Sequence, residues 1–495
     1  MSRFLIGLGV VSGCTASIDK EISCGEGTRL VKEVCVADGE TETDTDDVDE
    51  DTDSDDTDPP TDTGDSGETA PEDTGDMVDT GDPGPPEVDV YLLGGQSNMV
   101  GIGFANSLPP SLRVAQPDVQ IYWSAVPEWR GLQPSSEASS GWGTYFGPEV
   151  TFGRTMADAS ERPVHLIKHA VGGTDLAYYW NPGTGPSDPS MGEGYRVFSE
   201  TVADGLAELE ATGVVPVVRG MIWMQGEADA YYEEFADAYE DNLAHLIDRV
   251  RSDVGVPDMP FVAAQIDCRG VCPYRDTVNG AMTAVAASDA TVSTFSTEAL
   301  GRYPWDDWHY HGWGQRALGE HFAAELMGAS PPELPAAAVT ITGTYAYDYY
   351  GSFTVGWRFT TDRFIEVTDL GQFDLYDDGL YHSTTVGIWE TSSQSLVVSE
   401  VVPAGYATDW EGGFRYVGCE PALLPPGDYV IGLEAFEYAP DYYVYAAQTD
   451  VVADVTVVES RYLDGNTLSF PTIAVETAPA YMAWLGPNMR FRVAE

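Results

Sequence analysis

A serine stands directly after a short apolar run, in the sequence GGQSNM at residues 94–99. The mostly apolar residues 88–93 predict a buried strand, and open α/β sheets place their active sites at the carboxyl ends of strands. The glycines allow a sharp turn that exposes the hydroxyl group of Ser97. A serine becomes a useful nucleophile only when a base takes its proton, so a histidine must be available elsewhere in the fold. The competing interpretation of this segment is a polar turn after a buried strand.

A histidine with a nearby acid occurs in the sequence WDDWHY at residues 305–310. Asp306 and His309 can meet across a tight turn, where the carboxylate would orient the imidazole and the imidazole would deprotonate Ser97. Asp307 is the rival acid. The other six histidines lie in predicted strands or helices, or lack an acid at comparable spacing.

Two further loops follow predicted strands and offer hydrogen-bond donors for a developing oxyanion. They are AVGGT at residues 170–174 and QGEAD at residues 225–229. Glycine exposes its backbone N–H, and the side chain of Gln225 donates from its amide. Each loop also has a structural interpretation, as a tight turn for the glycines and as a helix cap for Glu227 or Asp229.

Taken together, these blocks resemble the sialate O-acetylesterase and acetylxylan esterase branch of the SGNH hydrolases. The resemblance spans residues 88–327 and rests on GQSNM, GPE at 147–149, GGT at 172–174 with Trp180, QGEADA at 225–230, and DDWH at 306–309. One departure is Asp307, where the family usually has a small residue. This departure leaves open which of the two neighbouring acids belongs to the relay.

The resemblance implies roles for individual residues. It implies that Ser97 attacks the ester, with Asp306 and His309 as its proton relay. It implies an oxyanion hole formed by the N–H of Ser97, the N–H of Gly173 (or of Gly172) and the amide of Gln225. Gly172, Asn98, Glu227 and Trp180 are expected to contact substrate or to support the site. No metal and no other cofactor is required.

The expected function is removal of O-acetyl groups from carbohydrate, such as sialic acid, xylan or a related glycan, through an acyl-enzyme. The loops 105–145 and 178–195 are expected to set specificity. Flat aromatic residues beside polar neighbours suit sugar rings, and the site loops carry Trp123, Trp129, Trp142, Trp180, Trp305 and Trp308. The alternatives are a lipase or thioesterase of the same superfamily, or a glycan-binding protein on a catalytically inactive scaffold.

The formal net charge of -58, from 81 acidic and 23 basic residues, argues against nucleic-acid binding. Residues 40–87 contain 21 acids and no Lys or Arg, and they have too few apolar residues to offset the entropy lost on ordering. We therefore predict a disordered linker over residues 39–87. An acetylated carbohydrate is the expected partner, and the oligomeric state stays open.

The amino terminus has a basic residue, a short apolar run and the sequence VSGC ending at Cys14. This order predicts an export signal over residues 1–14 and resembles a bacterial lipobox, in which the cysteine is lipidated. An ordinary signal peptide with a chance cysteine is the alternative. The expected location is therefore the bacterial cell envelope or surface, with a lipid anchor as the membrane contact. A small segment with Cys24 and Cys35 follows, at residues 15–38.

The remaining residues predict two domains. Over 88–328, apolar runs alternate with longer helical patterns, which favours a three-layer α/β/α sheet of the flavodoxin-like SGNH type. A linker is expected at 329–338. Residues 339–495 are rich in Val, Thr, Tyr and Phe, broken by Gly, Asp and Pro, and predict an all-β sandwich that serves as a spacer or binds sugar. Disulfide bonds are expected for Cys24 with Cys35 and for Cys268 with Cys272, which leaves Cys419 free.

Overall fold

The computed structural model describes the chain in segments: 28–31, 34–37, 85–134, 145–185, 187–268, 270–343, 345–348, 351–374, 376–436, 441, 443–475, 481–482 and 485–494. The predicted export signal with Cys14, the residue Cys24 and most of the acidic linker lie outside these residues. Two compact units are present, Met1–Asp79 and Thr80–Glu495. In the first unit, strands β1 (Thr28–Val31) and β2 (Val34–Ala37) form an antiparallel pair.

The first part of the second unit is built on a seven-stranded sheet. Its strands and two short additional strands are β3 (Glu87–Gly95), β4 (Gly103–Phe104), β5 (Gln116–Trp123), β6 (Val126–Leu132), β7 (Tyr145–Phe146), β8 (Val164–Ala170), β9 (Val215–Met224), β10 (Phe261–Ala264) and β11 (Val292–Phe295). The spatial order is β11-β10-β9-β3-β8-β5-β6, and all neighbours are parallel except β5 and β6. β3 therefore lies at the point where the strand order reverses, which is where open α/β sheets bind ligands.

Helices cover both faces of this sheet. They are α1 (Ser97–Val100), α2 (Glu149–Ala159), α3 (Glu193–Ala211), α4 (Glu233–Val254), α5 (Arg275–Ser288) and α6 (Gly312–Met327). Helix α2 packs with α6, and α4 packs with α5, while α3 lies against β8 and β9. The central strands β3 and β8 are buried along nearly their whole length. β3 accordingly has a mostly apolar sequence, whereas β8 also contains His165, Lys168 and His169. Among the described residues, we find no helix with the length and apolar character needed to cross a membrane.

The carboxyl-terminal part consists of antiparallel strands. These are β12 (Ala336–Ala337), β13 (Val339–Ile341), β14 (Ala346–Asp348), β15 (Phe353–Thr361), β16 (Ile365–Phe373), β17 (Thr384–Glu390), β18 (Leu396–Val402), β19 (Asp409–Glu411), β20 (Phe414–Leu424), β21 (Gly427–Ala435), β22 (Tyr443–Tyr445), β23 (Ala447–Val451), β24 (Thr456–Asp464), β25 (Ile473–Val475), β26 (Tyr481–Met482) and β27 (Pro487–Val493). The two largest sheets have the orders β18-β17-β21-β15-β24-β25 and β12-β27-β16-β20-β19. This part has a hydrophobic core of its own, which includes the fully buried Trp357, Phe359 and Ile431. Such a core is typical of two β-sheets packed face to face.

The predicted fold class, an α/β/α domain followed by an all-β domain, is confirmed. One part of the fold differs from the prediction. Residues 105–145 are predicted as a loop, but they contain the hairpin of β5 and β6. Its outer strand β6 is partly exposed and includes Pro127 and Gly131, so it lacks a clear apolar pattern. The predicted bond between Cys268 and Cys272 is present, and Cys419 is buried and free.

Candidate active site

Three neighbouring strands, β9, β3 and β8, end at the same edge of the sheet, and each continues into a loop that carries predicted site residues. The turn after β3 requires glycine at position 95, because φ is +150° and an added Cβ would stand 2.1 Å from the Met224 carbonyl oxygen. The Gln96 N–H donates to this same carbonyl at 2.9 Å. The close approach of β3 and β9 therefore directs the chain into α1 with Ser97 as its first residue.

The Ser97 hydroxyl lies within hydrogen-bond distance of the imidazole of His309. The distance from Ser97 Oγ to His309 Nε2 is 2.9 Å, and that from His309 Nδ1 to Asp306 Oδ2 is 2.6 Å. With the ring proton on Nδ1, the imidazole donates to the carboxylate and accepts from the hydroxyl. Ser97 and His309 are 212 residues apart in the chain, so only the tertiary fold brings them together.

Asp306 is held by more than the histidine. Its Oδ1 accepts the N–H groups of Trp308, at 2.7 Å, and His309, at 3.2 Å. Burial raises the pKa of Asp306, but the hydrogen bonds and charge of His309, with the two backbone donors, outweigh this and hold the pKa below its ordinary value. Asp307 points to solvent and has no hydrogen-bond partner among the described residues. Of the two candidate acids, Asp306 is therefore the one in contact with His309.

Asn98 ties the His309 loop (residues 303–311) to helix α1. Its Nδ2 donates to the Trp308 carbonyl at 2.9 Å and to Glu227 Oε1 at 2.7 Å, and its Oδ1 accepts the Tyr310 N–H at 3.2 Å. Asn98 itself is 1% exposed. It therefore supports the two segments on either side of His309 and does not face the pocket.

Backbone donors next to Ser97 have no acceptor among the described residues. They are the N–H groups of Ser97, Gly172 and Gly173. Gly172 lies beside the nucleophile candidate, because an added Cβ there would be 3.5 Å from Ser97 Cβ, and Gly173 has φ of +70° in the left-handed region. Both glycines line the pocket. An oxyanion formed on Ser97 would meet these free donors.

Gln225 does not lie where the sequence interpretation put it. It is fully buried, its Nε2 donates to the Thr174 carbonyl at 2.9 Å and to Asp229 Oδ2 at 2.6 Å, and its Oε1 accepts the Tyr239 hydroxyl at 3.0 Å. Both amide hydrogens are thus engaged away from the pocket. In contrast to the prediction, the structure gives Gln225 a supporting position beneath the loop that ends in Thr174.

Two buried carboxyl groups, Glu227 and Asp229, follow Gln225 in the chain. Burial raises the pKa of Asp229 to about 6, although Gln225 and the Leu176 N–H donate to it. Burial also raises the pKa of Glu227, against the hydrogen bond from Asn98. Glu227 lines the pocket, and its Oε2 has no partner among the described residues. Glu227 is therefore the acidic group of the pocket wall, as well as the partner of Asn98.

The pocket over Ser97 has a volume of about 660 Å³. Its lining consists of Gln96, Ser97, Gly172, Gly173, Glu227, Ala228, Tyr231, Tyr232, Trp308 and His309. Sequence reasoning missed Tyr231 and Tyr232, although they directly follow the QGEADA block. In the described segments, no group of three or more His, Cys, Asp or Glu side chains is arranged to hold a metal ion.

The tryptophans expected at the site have different positions. Trp308 lines the pocket, and Trp305 is 62% exposed outside it. Trp123 and Trp180 are buried, and the Trp180 Nε1 donates to the Thr174 hydroxyl at 3.0 Å. Trp180 is therefore a support beneath the glycine loop. Trp129 packs against Tyr122 and His165, and Trp142 lies outside the described residues.

A comparison with known protein families found a match for the α/β part of the chain. Residues 87–328 match the family model described as carbohydrate esterase, sialic acid-specific acetylesterase. A comparison with curated protein sequences found no match.

Several solved structures are similar to part of this chain. A protein from Arabidopsis thaliana is 20% identical, with 49% of this chain and 99% of that chain covered and a TM-score of 0.41. A carbohydrate acetylesterase from Xanthomonas citri is 14% identical, with 72% of this chain and 74% of that chain covered and a TM-score of 0.37. NanS is 14% identical, with 50% of this chain and 98% of that chain covered and a TM-score of 0.38.

Proposed function

Residues 87–328 of this chain belong to the carbohydrate esterase family of sialic acid-specific acetylesterases, and from this premise we propose that the protein is a serine esterase acting through an acetyl-enzyme. Its substrates are O-acetyl groups on carbohydrate. The observation that supports this most directly is the continuous hydrogen-bonded series from Asp306 through His309 to the Ser97 hydroxyl at the wall of the pocket.

In the first half of the reaction, Ser97 Oγ attacks the acetyl carbonyl carbon while His309 Nε2 takes the hydroxyl proton. Asp306 stabilises the imidazolium that forms, because its low pKa keeps it ionised. The carbonyl oxygen gains negative charge and accepts hydrogen bonds from the N–H groups of Ser97 and Gly173. Collapse of this intermediate breaks the bond to the sugar oxygen, which leaves as an alcohol after taking the proton from His309.

In the second half, water attacks the acetyl group on Ser97, and His309 takes the water proton. The second tetrahedral intermediate collapses to acetic acid and regenerates the Ser97 hydroxyl with the proton from His309, and the released acid ionises to acetate in water. In each half, the positive charge forms on the His309 imidazole beside Asp306, and the negative charge forms on the carbonyl oxygen that faces the backbone donors. The protein therefore needs no other group for the balance of the reaction.

The test of this proposal is Ser97→Ala, which removes the nucleophile from a position that tolerates a smaller side chain. We expect a loss of acetate release of several powers of ten with an unchanged melting temperature, as is typical for a missing nucleophile. Ser199→Ala is a matched control, because Ser199 is a partly exposed residue of α3 whose hydroxyl donates to the Arg196 carbonyl and to no other described residue. Retention of more than about a hundredth of the wild-type rate in Ser97→Ala would remove Ser97 from the mechanism.

Hydrolysis of longer acyl esters is the competing activity, because an aromatic wall also accommodates an acyl chain. Aryl esters of increasing acyl length separate the two activities. An acetylesterase loses kcat/KM as the acyl chain grows, whereas a lipase or thioesterase gains it through burial of each added CH₂ group.

A further inference from the structure

Five aromatic side chains form a continuous strip that starts in the pocket and leads away from it, here called the aromatic strip. In spatial order they are Trp308, Tyr231, Tyr232, Phe235 and Tyr178, and successive ring centroids are 5.1 to 6.5 Å apart. The first three line the pocket. The strip is open to solvent, since Tyr178 is 66% and Tyr232 59% exposed.

Exposure of several adjoining aromatic rings to water is unfavourable, so such a patch is uncommon on a soluble protein that does not use it for binding. Contiguous exposed aromatic rings mark interaction sites in soluble proteins. The hydroxyl groups of Tyr178, Tyr231 and Tyr232 have no partner among the described residues, so they are free to bond to a ligand. Rings that offer an apolar face together with free hydroxyl groups match sugars, which have apolar C–H faces and hydroxyl groups at their edges.

The charges around the strip indicate what kind of sugar fits. Among the described residues that line the pocket there is Glu227 but no Lys or Arg. The residues beside the strip in the chain include the acids Asp175, Glu233 and Glu234. The described lining of the pocket therefore offers a sugar carboxylate no Lys or Arg partner, and the acids beside the strip would repel it. An uncharged chain has no such penalty.

We propose that the aromatic strip is a binding site for an extended, uncharged glycan chain and leads its acetylated units to Ser97. This inference rests on the proposed esterase function and adds the substrate class. The strip continues the wall of the pocket, so a chain with one acetylated unit over Ser97 can lay its next units on Tyr232, Phe235 and Tyr178.

The test uses partially acetylated xylo-oligosaccharides of increasing length, with O-acetylated sialic acid and an aryl acetate for comparison. We expect kcat/KM of the wild type to rise with chain length and to be lowest for the sialic acid. Tyr178→Ala should raise KM for the long oligosaccharide by ~3–10-fold, if a ring–sugar contact is worth as much as an aromatic pair. Tyr381→Ala is the matched control, because Tyr381 is also 66% exposed but lies between strands of the carboxyl-terminal part.

Three results would overturn the inference: no dependence on chain length, the same KM for Tyr178→Ala and Tyr381→Ala, or preference for acetylated sialic acid over the oligosaccharides. Failure of the underlying function is a different result. In that case the wild type releases no acetate from any carbohydrate or from the aryl acetate, or Ser97→Ala releases it normally.

A second observation, independent of the strip, concerns the start of helix α6. Asp409 on β19 is fully buried, and its Oδ1 accepts the Gly312 N–H at 2.8 Å while its Oδ2 accepts the Trp313 N–H at 2.9 Å. His311, which precedes the helix, makes no capping hydrogen bond through its side chain. Two of the free N–H groups of the first turn are therefore satisfied by the carboxyl-terminal β domain.

This contact lies close to the proposed relay. His309 is three residues before Gly312, and the same loop is tied to helix α1 through Asn98. The start of α6 is tightly packed, because an added Cβ at Gly312 would stand 2.1 Å from Ser107 Cβ and 2.8 Å from Asp409 Oδ2. We infer that Asp409 is a positioning residue for His309, and that the β domain is a structural part of the active site.

Asp409→Asn and Asp409→Ala test this second inference on the full chain. Asparagine retains one acceptor oxygen and alanine retains none, so we expect a graded loss of kcat, up to ~10–100-fold for alanine, with KM nearly constant. Glu420→Ala is the control, because it removes a contact of the same interface, with Ser111, away from α6. If the alanine variant does not fold, the asparagine variant decides alone. A wild-type kcat in Asp409→Asn, or an equal loss in Glu420→Ala, would contradict the inference.

Discussion

Replacement of Asp306 by asparagine is the sharpest test of the proposed relay, because the structure predicts how the new amide will lie. Asp306 Oδ1 accepts two backbone N–H groups, from Trp308 and His309. The asparagine oxygen must take this position, since an NH₂ group there would face two donors. The NH₂ group then occupies the place of Oδ2, which lies 2.6 Å from His309 Nδ1 in the wild type.

An NH₂ group at this place reverses the hydrogen bond. His309 Nδ1 must become an acceptor, so the ring proton moves to Nε2, and Nε2 can no longer take the proton of Ser97. The variant also loses the carboxylate that stabilises the imidazolium. Together these effects predict a loss in kcat of ~10²–10⁴-fold, or about 3–5 kcal/mol of transition-state stabilisation, with little change in KM.

Asp307→Asn is the natural control, because it makes the same chemical change one residue away. Asp307 is exposed and has no partner among the described residues, so its variant should retain kcat within about threefold. Steady-state acetate release from one acetylated oligosaccharide, measured for both variants, gives the comparison. A large loss in Asp307→Asn with near-normal Asp306→Asn would refute the assignment and leave Ser97 and His309 in place.

Three other predictions concern stability and location. Lys168→Met leaves the buried carboxylate of Glu149 without its partner at 2.6 Å, so urea denaturation should show a loss of about 3–5 kcal/mol, and a change below about 1 would contradict this. Burial lowers the pKa of His169 to about 4, so the unfolded chain binds an extra proton below about pH 6.5 and unfolding free energy falls by about 3 kcal/mol towards pH 4. His169→Gln should remove that part of the slope, and an unchanged slope would rule out His169 as its source. Finally, Cys14→Ala should release the protein from the membrane fraction if Cys14 carries the proposed lipid; unchanged fractionation would favour an ordinary signal peptide.

The sequence by itself was sufficient for the fold class and for the residues whose roles depend on local pattern. Ser97 follows a buried apolar strand, and Asp306 and His309 are close enough in the chain to meet within one turn. These features involve contacts over a few residues, or a strand end whose place in an open sheet is general. For this reason the serine, the histidine and the loop glycines were identified correctly as neighbours at one edge of the sheet.

Tertiary structure alone decided the direction of side chains and the contacts between distant segments. Gln225 follows a strand as the glycine loop does, but its amide faces the core, where Thr174 and Asp229 compete for its hydrogens. Tyr231 and Tyr232 line the pocket from the short turn before α4, where Tyr231 stacks on the distant Trp308. Asp409 meets Gly312 across 97 residues. No local pattern encodes such pairs, since the free energy of each depends on which surfaces the packed domains bury together.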